Sequence, residues 1–129
     1  MTTRARGTFD VKLVPQPDAD SSLGRLTIEK QFQGDLEGTS KGQMLAIQTS
    51  MGSAGYVALE TVTGTIGGKS GTFALQHGGT MNRGTGTLSV TVVPDSGTGE
   101  LEGITGSLAI IIADGQHRYE FDYMLPVGA

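Results

Sequence analysis

Apolar residues recur at every second position along most of this chain, and glycine-containing breaks separate the runs. In Arg25–Phe32, Leu26, Ile28 and Phe32 alternate with Arg25, Thr27, Glu29 and Gln31. A period of two places such residues on one face of a strand, whereas a helix would need apolar residues three and four apart. Similar stretches run over 5–14, 36–49, 55–66, 71–78, 86–93, 106–114 and 118–125. No helical stripe free of glycine and β-branched residues is long enough to compete, so one short helical turn at most is expected.

The breaks carry turn chemistry and are short. The longest covers 15–22, and tight turns are expected at 67–69, 77–84, 94–97 and 114–116. Short links join antiparallel neighbours, and closing such a sheet on itself removes its exposed edges. The expected fold is therefore all-β: a single closed antiparallel barrel of about eight strands, one domain over 1–129 with its core over about 7–125. Glycine, at 21 of 129 residues, is well above the usual roughly 7% and could suggest disorder. The 36% apolar content and its patterning point instead to a folded, turn-rich domain, with glycines at bends and bulges.

Several function classes drop out. With no Cys there is no disulfide framework, thiolate nucleophile or Cys-based metal site. The net charge of −4 and the lack of a basic stripe argue against nucleic acid as a partner. No apolar signal-like segment follows Arg4 and Arg6, and the aliphatic run Leu108–Ala113 is far too short to cross a bilayer as a helix. A cytoplasmic protein without a membrane partner is expected. Gly64-Thr-Ile-Gly-Gly-Lys69-Ser70 ends like a phosphate loop, but Thr63 stands where the first glycine belongs and a strand follows, so Lys69 is read as the tip of a hairpin. His77 and His117 are far apart in sequence and lack further ligands, so neither a metal nor a cofactor is expected.

Polar groups that interrupt an apolar strand face are the remaining signal, because a buried charge is costly unless it is paired or used. Glu60 shares its face with Tyr56, Ala58 and Val62, and His77 shares one with Phe73 and Leu75. A turn at 67–69 sets position 60 opposite about 76 or 77, making Glu60 and His77 cross-strand neighbours or placing them one register step apart. Inside a barrel, desolvation would raise the Glu60 pKa towards acid–base work; on the outer wall it would be a solvated carboxylate. Lys30 interrupts the face of Leu26, Ile28 and Phe32 as a lumen cation or a snorkelling side chain. Tyr119 and Tyr123, on one face with His117 and Phe121, line a ligand site or fill an aromatic core, and Met44 and Met51 could add lining.

The segments Phe32–Gly38, Tyr56–Glu60, Gly64–Phe73, Leu75–Gly79 and Ser96–Gly106 together resemble a bacterial family of small uncharacterised proteins with an allene-oxide-cyclase-like, calycin-like barrel. The resemblance covers about Gly7 to Leu125. It implies Glu60 and His77 as lumen residues with Tyr56, Phe73 and Gln76 beside them. Lipocalin and avidin barrels fit less well, because this chain has no Trp.

Two readings stay open. In one, the barrel is an isomerase- or cyclase-like enzyme acting on a small apolar molecule, with Glu60 and His77 as acid–base pair and Tyr56 or Tyr119 positioning substrate. In the other it binds or carries a small molecule without catalysis. Outward aliphatic residues, and the run Ile110–Ile112 as a strand buried on both faces, suggest a homo-oligomer.

Overall fold

A computed structural model describes residues 2–17 and 23–126. Eight antiparallel strands form a closed barrel: β1 (Thr3–Pro15), β2 (Gly24–Gly34), β3 (Leu36–Gln48), β4 (Ala54–Ile66), β5 (Lys69–Asn82), β6 (Thr85–Val92), β7 (Thr105–Ala113) and β8 (Gln116–Met124). Each strand pairs with its sequence neighbour, and β1 closes on β8. The expected fold is thus the observed one. One 3-10 turn, Gly99–Leu101, is the helical content of the described residues.

Two boundaries differ from the sequence reading, both through turn geometry. The β4–β5 hairpin turns on Gly67 and Gly68 alone, both at positive φ, so Lys69 lies in β5 opposite Ile66 rather than at the tip. Strand β5 also runs on through Gly78 and Gly79 to Asn82 and turns at Arg83 and Gly84, where φ is again positive. Glycines expected to break that strand sit inside it.

Inward residues define a barrel with unlike ends. At one end Leu36, Ile66, Phe73, Leu101, Ile104 and Phe121 are almost wholly buried. The segment after β6 closes this end by lying along the first half of β5: Thr98 N–H donates to Thr72 O (2.8 Å) and Ala74 N–H to Ser96 Oγ (3.0 Å). It takes the place that β6 would otherwise fill, and its Leu101 and Ile104 seal the core. At the other end the inward positions of the strands, including Leu13, Leu88 and Ile112, are 46, 45 and 68% exposed. Here β6 and β7 splay apart: they share the single register pair Thr91 with Ser107, while every other neighbouring pair forms a continuous ladder. The barrel is a cup with a sealed base and an apolar, partly open rim.

Candidate functional site

Between base and rim the inward face carries charge. Lys30 of β2, Ser40 of β3, Glu60 of β4 and His77 of β5 are all buried. Register explains the grouping, since Lys30 stands opposite Ser40, Gly42 opposite Glu60, and Ala58 opposite His77. Glu60 and His77 are therefore diagonal neighbours on one face, with Leu75 directly opposite Glu60, which corrects the pairing of position 60 with 76 or 77 by one to two residues. The two-residue turn at Gly67 and Gly68 is the cause.

The Glu60 carboxylate is the hub. Its Oε2 accepts a hydrogen bond from Lys30 Nζ at 2.9 Å, and its Oε1 accepts one from Ser40 Oγ at 2.9 Å. Lys30 reaches it across β3 from a strand that is not adjacent. Gly42 makes this possible: a Cβ there would collide with Leu59 O and with Glu60 itself, so its absence lets β3 and β4 approach. The Lys30 ammonium also lies 5.0 Å from the Phe9 ring centroid and 5.9 Å from that of Phe32, a cation–π environment that offsets part of its desolvation. His77 Nε2 approaches Glu60 Oε2 to 2.6 Å, so the imidazole pairs with the same carboxylate oxygen as Lys30. That one oxygen serves two nitrogens, on side chains that are all almost fully buried.

This geometry reverses the expected electrostatics of Glu60. Burial alone pushes its pKa up, but His77 and the Lys30 charge together outweigh burial and bring it down to about 2. The carboxylate is ionised at neutral pH and anchors its neighbours; it is not a poised general acid. Tyr56 sits rimward of His77, with ring centroids 6.4 Å apart. It is half-buried and packs over Gly79, its cross-strand partner, where a Cβ would strike the ring. Burial, then the Glu60 charge, raises the Tyr56 phenol above its ordinary value, so it remains a hydrogen-bond donor.

Residues 5–123 match the family model described as "Protein of unknown function (DUF3224)". The chain belongs to the DUF3224 family. A DUF3224 protein of unknown function from Shewanella oneidensis MR-1, whose crystal structure is solved, is 45% identical over 98% of both chains and superposes with a TM-score of 0.92. No curated protein matches the chain. DUF3224 membership bears out the expected bacterial family of uncharacterised barrels, and it supports the fold across the barrel.

The other expected site residues of this DUF3224 barrel do not join the cluster. Phe73 is buried towards the sealed base, stacked on Phe121 at 5.7 Å between centroids, and Tyr123 stacks on Phe121 from the other direction at 5.5 Å. The Tyr119 hydroxyl accepts from Leu36 N–H (2.9 Å) and faces the carbonyls of Gln33 (3.0 Å) and Leu36 (3.1 Å), which ties β8 to the β2–β3 turn. Gln76 is exposed on the outer wall, a correction to the lumen place that the resemblance implied, and it follows from strand alternation. Met51 is likewise exposed, at a positive-φ turn position, whereas Met44 is half-buried on the inner face. Ile111 and Ile112 are exposed, so β7 is not buried on both faces within one chain.

What sequence reading underweighted is Lys30, whose pairing with Glu60 depends on two hairpin registers at once. Among the described residues no group of three or more His, Asp or Glu is placed to hold a metal ion. No helix there is long and apolar enough to cross a membrane. On the outer wall an open concavity of about 980 Å³ runs over β3 to β6, lined by Leu45, Val57, Leu59, Gln76 and Thr91. Glu60 and His77 border it only through their strands' backbone, because their side chains face inward.

Proposed function

We propose that this barrel binds a small molecule in the rimward half of its lumen, against the Lys30–Glu60–His77 cluster and Tyr56. One observation carries the reading: three ionisable side chains, Lys30, Glu60 and His77, are buried together on the inward face, below inward apolar positions that stay open to solvent. Burying such groups costs several kcal/mol unless they are paired or used, and an apolar core of similar volume would serve stability as well or better. The half-exposed inward residues above them, Met44 and Tyr56 among them, give a ligand apolar wall to cover. Binding rather than turnover is favoured because Glu60, held ionised by its partners, is a weak base and not an acid at neutral pH.

Native mass spectrometry of the protein purified from its own source tests this. A discrete adduct, released on denaturation and lost in His77→Asn, supports the reading; a bare mass under gentle conditions, with the barrel still folded, overturns it.

A second reading is isomerase- or cyclase-like chemistry, favoured by the juxtaposition of Tyr56 with His77. A protonated phenol and an imidazole facing one ligand could donate and withdraw a proton at neighbouring atoms. Conversion of the retained molecule by the wild-type protein, and its loss in Tyr56→Phe with binding kept, would decide for it.

We also propose that the barrel self-associates. Leu45 and Val57 are register partners on the outer wall, and with Ile47 and Leu59 they form one exposed apolar surface of the kind monomers seldom leave uncovered. A second copy presents the same surface, as a two-fold contact requires. Sedimentation velocity is expected to show a dimer or larger species that Leu59→Lys dissociates; a wild-type monomer at high concentration would contradict it.

A further inference from the structure

We infer that the ligand of the lumen is an uncharged amphiphile: one hydroxyl or carbonyl group on an apolar body about eight carbons long. The inference rests on the lumen-binding reading above and narrows it to a chemical class.

The charge balance of the cluster sets the head group. The Lys30 ammonium and Glu60 carboxylate meet at 2.9 Å with 7 and 0% of their side chains exposed, so they compensate each other. A carboxylate or ammonium arriving beside them would enter a low-dielectric site with no counter-charge left, and that desolvation costs several kcal/mol. A carboxylate would also face the ionised Glu60 directly. A neutral hydroxyl or carbonyl meets no such penalty, and it finds the Tyr56 phenol, half-buried beside His77, as a hydrogen-bond donor.

The wall sets the body. From the level of His77 the inner face rises along β5 to Met81, past Gly79. With strands rising about 3.4 Å per residue and tilted about 40°, this gives a depth of about 10 Å, which a chain of about eight carbons spans. Around it the inward positions include Leu13, Leu26, Met44, Leu88, Ile110 and Ile112, with the titratable His117 opposite Ile112 and packed on Phe9. Beside them, β6 and β7 share a single register pair, so the wall is least tied at that seam. A single polar group at the floor and an apolar remainder is what this arrangement solvates.

Isothermal titration with 1-octanol, 2-octanone, octanoate and octylammonium, on wild type, His77→Phe and Leu88→Trp, tests the class. The expected result is binding of octanol and octanone at least tenfold tighter than of either ion, with both variants weakening it at least tenfold. Leu88→Trp fills the lumen one inward position above Val90, the partner of His77, and alters none of the charged side chains, so it reports on the same site should His77→Phe fail to fold. If octanoate or octylammonium binds as tightly as octanol and the variants still weaken it, the neutral class is overturned while the lumen site stands. If no probe binds, or binding ignores both variants, the class and the lumen reading fall together.

Discussion

Lys30 and Glu60 meet at 2.9 Å inside the barrel although their strands are not neighbours, because β3 between them carries Ser40 and Gly42 at that level rather than large side chains. Together with the His77 contact, this pairing keeps Glu60 ionised inside the barrel. It also makes the pair interdependent in stability.

Removing either partner alone leaves the other charge buried without its counterpart. Lys30→Met and Glu60→Gln are each expected to cost about 3–5 kcal/mol, while the double variant recovers most of that loss. Urea unfolding of the four proteins measures the coupling. Additive losses in the double variant would show that the pair does not act as a unit.

The depressed Glu60 pKa makes part of the stability acid-labile. Its folded value, about 2, lies below the ordinary 4.5, so the contribution is fully present above about pH 4.5 and fades as pH falls towards 2. At about 1.4 kcal/mol per pKa unit the loss across that window is about 3 kcal/mol. Unfolding free energies measured between pH 6 and 2.5 should fall more steeply for wild type than for Glu60→Gln; parallel curves would contradict the assignment.

Gly42 of β3 and Gly78 of β5 should respond oppositely to alanine. A Cβ at Gly42 meets the backbone oxygen of Leu59, whereas one at Gly78 meets nothing within 4 Å, and neither residue has positive φ. Gly42→Ala is expected to destabilise by about 2 kcal/mol or more, as backbone must shift. Gly78→Ala should be neutral or stabilising by about 0.5 kcal/mol through the unfolded chain. Thermal unfolding of both variants checks the contrast, and equal effects would refute the close approach of β3 to β4.

Tyr119 is expected to be a structural tie. Tyr119→Phe strips the buried Leu36 N–H of its acceptor and should cost about 1–3 kcal/mol while leaving ligand binding unchanged. Weakened binding at unchanged stability would place Tyr119 in the site after all.

How much of this was legible in the sequence depends on range. Strand positions follow from local alternation. Whether Glu60 and Lys30 turn inward stayed open, but the barrel and the apolar faces that Glu60, His77 and Lys30 interrupt could be read directly. Register could not, because it hangs on whether Lys69 belongs to a turn or a strand, and positive φ at Gly67 and Gly68 decides that. The sign of the Glu60 shift was missed because desolvation is a property of one strand face, whereas the His77 and Lys30 contacts that outweigh it come from two other strands. The destination of the Tyr119 hydroxyl, Leu36, is more distant still in sequence, and nothing local to either residue signals it.

The central claim, a ligand site inside the cup rather than on its outer wall, is tested most directly by mapping 1-octanol binding with backbone and methyl chemical shifts. The account predicts saturable shifts on the inward face, at Ala58, His77, Leu88 and Ile110, with the outer wall unmoved. Shifts concentrated instead at Leu45, Val57, Leu59 and Gln76, along the outer concavity, would contradict it.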